Sequence, residues 1–146
     1  MRIMAIDYGD AHTGVAISDP TGMLAGWTTT IDSRKQDVVV EQLRAIIAEW
    51  QVTELVLGYP KNMNDTEGER VEKTLAFKEA LERRTGLEVI LWDERMSTVA
   101  SERVLMEGNV RREDRKTYID KMAAAFILQG YLDYQSFSEN QAESED

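Results

Sequence analysis

At 146 residues, 42% of them hydrophobic, the chain is long enough for one domain with a real core and too short for two ordinary ones. It has no cysteine, which excludes a disulfide framework and a thiolate metal site and fits a reducing compartment. The net charge of −10, from 17 basic and 27 acidic residues, argues against non-specific attraction to nucleic acid by the molecule as a whole.

In chain order, Arg2 to Asp7 reads as a buried strand, Tyr8 to Thr13 as a glycine-containing turn, and Gly14 to Ser18 as a returning strand. The start goes from Met1-Arg2 into four apolar residues and then Asp7, unlike a signal peptide, and no run approaches membrane-spanning length. A cytoplasmic protein with no membrane partner is expected. Asp19-Pro20-Thr21-Gly22 signals a turn, and Met23 to Thr30 suits a third antiparallel strand. Asp37 stands before a helical pattern of Val39, Val40, Leu43, Ile46, Ile47 and Trp50. Glu54 to Gly58 is a fourth strand stopped by Pro60. Thr66 to Thr85 is a helix with Val71, Leu75, Phe77, Ala80 and Leu81 as apolar positions, ended by Gly86.

Leu87 to Trp92 is a fifth strand that runs into Asp93-Glu94. Two more helices are expected, Thr98 to Met106 and Tyr118 to Tyr131. The first carries Val99, Val104 and Leu105; the second carries Ile119, Met122, Ala123, Phe126 and Ile127 and ends at Gly130. The polar, basic segment Gly108 to Thr117 between them is expected to be mobile. Residues 135–146 are expected to form an acidic, disordered tail, with Glu139, Glu143, Glu145 and Asp146 supplying four of the ten excess negative charges. Residues 1–134 then form the domain, an α/β fold with a mixed five-stranded sheet, three antiparallel strands followed by two parallel ones, flanked by helices.

A carboxylate at the end of a buried strand is costly unless it is paired, hydrogen-bonded or bound to a cation. Taken alone, Asp7 reads as a turn cap accepting N–H bonds from Gly9 or Asp10, Glu94 as the surface partner of Arg95, and Asp120 as an acid at a helix N-terminus. Taken together, a second strand also ends in acids and Asp120 begins an almost wholly apolar helix face, so the three can converge outside the strand ends. Three such acids suffice to hold Mg²⁺ or Mn²⁺, and with one histidine and no thiol a zinc site is disfavoured.

The stretches DYGDAHTGVAISD, LVLGYPKNMNDTEGER, LWDERMSTVASERVL and IDKMAAAFILQGYLD resemble the pre-16S ribosomal RNA nuclease family, also called Holliday-junction-resolvase-like proteins. The resemblance spans residues 1 to about 134 and implies a ribonuclease-H-like fold with a metal-dependent nuclease site. It implies that Asp7, Glu94 and Asp120 are the catalytic and metal-binding acids, with Asp93 the alternative to Glu94 because strand alternation aims only one of two neighbours at the cleft. In the first loop Ala11-His12-Thr13 stand where a Lys-Arg pair is common in the family, which removes cations able to contact phosphate.

Candidate phosphate contacts are Lys61, Asn62, Arg70, Lys73 and Arg95, with Arg111, Arg112, Arg115, Lys116 and Lys121 as a basic run beside Asp120. Arg70 and Lys73 also suit intrahelical pairs with Glu67, Glu69 and Glu72, and Ser97 and Thr98 suit helix caps. Trp27, Trp50 and Trp92 fall in apolar patterns and are expected in the core rather than as base-stacking platforms. The leading function is an endonuclease acting on structured RNA, through the resemblance in processing the 5′ end of pre-16S rRNA. The alternatives are a resolvase of branched DNA, a non-enzymatic nucleic-acid-binding module using the Arg111 to Lys121 segment, and a phosphate loop of the sugar-kinase kind, for which 146 residues leave no second lobe. A monomer and a homodimer are both compatible with the sequence.

Overall fold

The structure, a computed structural model, describes residues 2–22, 25–59, 68–93 and 122–135. Ile3–Asp7 (β1), His12–Ser18 (β2) and Ala25–Asp32 (β3) form the antiparallel meander. Gln36–Trp50 (α1) leads into Glu54–Tyr59 (β4), and Gly68–Thr85 (α2) into Val89–Asp93 (β5). Strand β4 lies parallel to β1 and β5 parallel to β4, so the order is β3-β2-β1-β4-β5. This is the expected mixed five-stranded sheet. A further helix, α3, covers 122–135. No helix among the described residues is long and apolar enough to cross a membrane.

β1 is apolar at consecutive positions because it is central and covered on both faces. Met4 and Ile6 join Val39, Val40 and Leu43 of α1 and Phe77 and Leu81 of α2 in one core. Ile3 and Ala5 join Ala124, Ile127, Leu128 and Leu132 of α3 in the other. The Trp27 and Trp50 rings lie 5.1 Å apart and pack against the first core, and Trp92 packs against the second, as the apolar patterns predict.

Several boundaries differ from the sequence reading, each for a local reason. The first turn is shorter, because β3 runs on to Asp32 and supplies ladder partners for Thr13 and His12. Asp37 lies inside the first turn of α1, where the macrodipole favours it, while extended Lys35 is the N-cap with no side-chain cap bond. On α2 Thr74 is buried in place of its neighbour Leu75, which is exposed, and the Thr74 hydroxyl donates to the Arg70 carbonyl at 2.9 Å. Helix α3 passes through Gly130 instead of stopping there, and a Cβ on that glycine would stand 3.4 Å from the Trp92 indole nitrogen. Met122 is exposed, and Ala124, Leu128 and Leu132 join Ile127 on the buried face. The expected helix Thr98 to Met106, the segment Gly108 to Thr117 and the start of the helix from Tyr118 lie outside the described residues; of the expected tail 135–146, Gln135 belongs to α3 and residues 136–146 lie outside the described ones.

Candidate functional site

Because β1, β4 and β5 are parallel, their C-terminal ends share one edge of the sheet, where ligands of open α/β sheets bind. Asp7 ends β1 there and is half-buried. Strand alternation puts it on the face of Ile3 and Ala5, the face covered by α3. Its cross-strand partner is Gly14 of β2. On the other side, Ile6 pairs with Leu57, and the next residue of β4 is the buried Gly58. Both strands beside Asp7 thus present glycine at its level. Among the described residues, no donor or cation meets the Asp7 carboxylate, so the cap to Gly9 or Asp10 is not formed. A side chain on Gly9 would run into the His12 carbonyl oxygen, which fixes glycine in the turn for lack of space.

The other side of this turn is held by α2. The Arg70 guanidinium donates to the Tyr8 carbonyl at 3.2 Å and lies 4.0 Å from Asp10, and the Lys73 ammonium lies 3.6 Å from Asp10. Arg70 and Lys73 therefore reach across to the turn after Asp7, beyond the pairs along their own helix that spacing predicted. The Tyr8 ring stacks on Phe77 at 4.0 Å. Burial, reinforced by the negative charge of Asp10, raises the Tyr8 hydroxyl above its ordinary value. Tyr8, Gly9, Asp10, Arg70, Lys73 and Thr74 line a shallow hollow at this corner. Tyr8 and Asp10 were not singled out in the sequence, although a second acid three residues after Asp7 was the available signal.

His12 shares the face of Gly14 and Ala16 by alternation, and its Nδ1 lies 2.7 Å from Asp32 Oδ1 in an exposed cross-strand pair. Farther from the edge, the Tyr131 hydroxyl of α3 donates to Glu54 at the start of β4, and the Gln135 amide donates to Tyr131 at 2.8 Å. Burial and the Glu54 hydrogen bond raise the Tyr131 hydroxyl well above its ordinary range. Trp92 meets Tyr131 edge-on at 5.9 Å, which seats α3 on β5.

Of the sequence-predicted residues, the structure brings Arg70 and Lys73 to the turn that follows Asp7. Asp93 is described in its backbone alone, paired with Tyr59 at the end of β5. Glu94, Arg95, Asp120, Lys61, Asn62, Arg111, Arg112, Arg115, Lys116 and Lys121 lie outside the described residues, as do Ser97 and Thr98. Among the described residues, no three His, Asp or Glu side chains gather into a cation site.

The strand order and the acid at the end of the central strand define a ribonuclease-H-like fold of the resolvase kind. Thermus thermophilus RuvC in complex with a Holliday junction superposes with a TM-score of 0.69, at 12% identity over 94% of this chain and 96% of that one. Fowlpox virus resolvase with Holliday junction DNA gives 0.57, at 15% identity over 92% of this chain and 99% of that one. The family model described as RuvX, Holliday junction resolvase, matches residues 1–134, and the chain belongs to that family. A relative from Agathobacter rectalis named "Putative pre-16S rRNA nuclease" is 54% identical over 142 residues, 94% of this chain and 99% of its own length. One of the same name from Clostridioides difficile is 50% identical over 133 residues, 91% of this chain and 94% of its own.

Proposed function

We propose that the chain is a divalent-metal-dependent endonuclease that hydrolyses phosphodiester bonds in structured RNA, with the 5′ end of pre-16S rRNA as its substrate. The observation that carries this reading is Asp7, a half-buried carboxylate at the end of the central strand, with glycine on both neighbouring strands and no partner among the described residues. An anionic oxygen kept in that setting suits a hard cation, whose ligands are carboxylates and water.

Glu94 and Asp120 are the other two proposed ligands, and the surrounding register supports both. Ile90 and Trp92 pack on the α3 face. Alternation from them favours the even position Glu94 over Asp93. Asp120 stands four positions before Ala124 in the sequence, and Ala124 is the α3 residue that a Cβ on Gly14, the cross-strand partner of Asp7, would meet. Mg²⁺ or Mn²⁺ bound there supplies Lewis-acid polarisation of the phosphodiester and activation of water. The chain's own part is to hold the acids, with Lys61, Asn62, Arg95, Arg111, Arg112, Arg115, Lys116 and Lys121 as phosphate contacts. Arg70 acts chiefly by holding the Tyr8 carbonyl. RNA as substrate, and the cytoplasm as its place of action, rest on the name of the curated relatives.

The test is cleavage of a pre-16S 5′-end RNA and of a branched DNA by purified protein, with Mg²⁺ or Mn²⁺ and with EDTA. RNA cleavage that stops in EDTA is expected, and Asp7→Asn lowers its rate roughly 100-fold or more with an unchanged circular dichroism spectrum. Equal activity of variant and parent rejects the site; cleavage of the branched DNA alone rejects the substrate.

A further inference from the structure

We propose that the hollow after β1, where Arg70 and Lys73 of α2 stand over Asp10, is a subsite for one backbone phosphate of the nucleic-acid strand, next to the phosphodiester that is cut. The inference deepens the nuclease reading and rests on its polyanionic substrate, not on a bound cation. The hollow lies at the edge where the parallel strands end, and its first residue, Tyr8, directly follows Asp7 in the chain. Tyr8 packs with Phe77 on the face covered by α1 and α2, opposite the face to which alternation sends Asp7. A strand that crosses this edge with one phosphate at Asp7 therefore passes the hollow on the other face.

Two cations here meet one carboxylate, so the hollow carries excess positive charge on a chain whose net charge is −10. Both pairs are loose. Lys73 Nζ stands 3.6 Å and Arg70 Nη1 4.0 Å from Asp10, each beyond hydrogen-bond length. Lys78 and Arg84 of the same helix, by contrast, lie 3.0 and 2.7 Å from Glu82 and Glu41. The side chains of Arg70, Lys73 and Asp10 are 44%, 52% and 65% exposed, and solvated pairs of that kind contribute little, so Asp10 gives way at small cost. Arg70 is meanwhile anchored, because its Nη2 donates to the Tyr8 carbonyl at 3.2 Å. A guanidinium held by one nitrogen is pre-organised to donate with the other, and a phosphate offers more acceptors and more charge than the carboxylate it displaces. Burial and Asp10 hold the Tyr8 phenol neutral beyond its ordinary range, so it adds no charge against a phosphate.

The experiment measures binding of a single-stranded RNA from the pre-16S 5′ end to the full chain in EDTA, across a range of salt. It compares the parent with Lys73→Gln, Lys73→Arg, Asp10→Asn and Arg84→Gln, after circular dichroism has shown each to be folded. Lys73→Gln lowers affinity about fivefold at 0.1 M salt and flattens the logarithmic salt slope by roughly 0.7, the effect of one phosphate no longer neutralised. Lys73→Arg keeps the parental slope. Asp10→Asn tightens binding by roughly two- to fivefold, because the carboxylate that competes with the phosphate is gone. Arg84→Gln removes the same charge eleven residues farther along α2, about 16 Å away and beyond the reach of screened charge, and leaves both values unchanged. A Lys73→Gln variant that binds like the parent or like Arg84→Gln overturns the subsite, as does Asp10→Asn binding no tighter than the parent, which leaves the two cations as mere tethers of the turn. A parent that binds no RNA overturns instead the substrate reading beneath the proposal.

Discussion

Asp7 and Tyr131 show two ways of keeping a titratable group within a packed edge. The Asp7 carboxylate sits between glycines and has no partner among the described residues, whereas the Tyr131 hydroxyl is buried and donates to Glu54. The second arrangement has a pH signature. Because burial and the Glu54 bond favour the neutral phenol, its folded-state value lies above that of the unfolded chain, near 10. A group raised on folding contributes its full stability below the unfolded value and loses it as pH climbs beyond. Urea unfolding is therefore expected to show stability falling from about pH 10 upward, and Tyr131→Phe should make that fall shallower; an identical slope in the variant contradicts the assignment. Asp7 was legible in the sequence, because an acid closing an apolar run demands an explanation. Tyr131 was not, since its partner lies 77 residues away at the start of β4.

Helix α2 shows where periodicity reads correctly and where it slips. Phe77 and Leu81 are fully buried, as their spacing predicts, but Leu75 is 41% exposed while Thr74 is buried. Thr74 can take the inward position because its hydroxyl is satisfied within its own helix by the Arg70 carbonyl. Hydropathy alone ranks leucine above threonine and so favours the wrong neighbour. Phe77→Ala should cost about 3–5 kcal/mol, combining reduced burial, a cavity and removal of the stack on Tyr8. Leu75→Ala should change stability by no more than about 0.5 kcal/mol. Denaturant midpoints check the contrast, and comparable losses at both positions would place α2 in a different rotation. The same helix carries Arg70 to the Tyr8 carbonyl, so its seating also bears on the turn that follows Asp7.

For the molecule as a whole, an acidic chain proposed to hold a polyanion has to concentrate its cations. The net charge is −10, yet five bases stand between Arg111 and Lys121. If these bases neutralise phosphates, RNA binding measured in EDTA should weaken steeply with salt. Replacing Arg111, Arg112, Arg115 and Lys116 together by glutamine should flatten the logarithmic slope by roughly 0.7 for each phosphate of single-stranded RNA that is no longer neutralised. An unchanged slope places the phosphate-binding cations elsewhere, with Lys61 and Arg95 next to be tested.

Local chemistry was enough to read the alternation of strands and helices and the motifs of the resolvase-like family, because buried runs, periodicity and turn residues act between near neighbours. It was also enough to expose Asp7, since a charge ending an apolar strand is locally anomalous. What had to wait for the fold was everything that depends on distant segments meeting. The parallel pairing of β1 with β4 and of β4 with β5 gathers three strand ends on one edge. The reach of Arg70 and Lys73 to the first turn spans some sixty residues of chain. That Gly14 of β2 faces Ala124, from the far end of the sequence, became visible once the helix was seen on the sheet. Close packing is set by the shapes of surfaces brought together, and no stretch of sequence carries both surfaces.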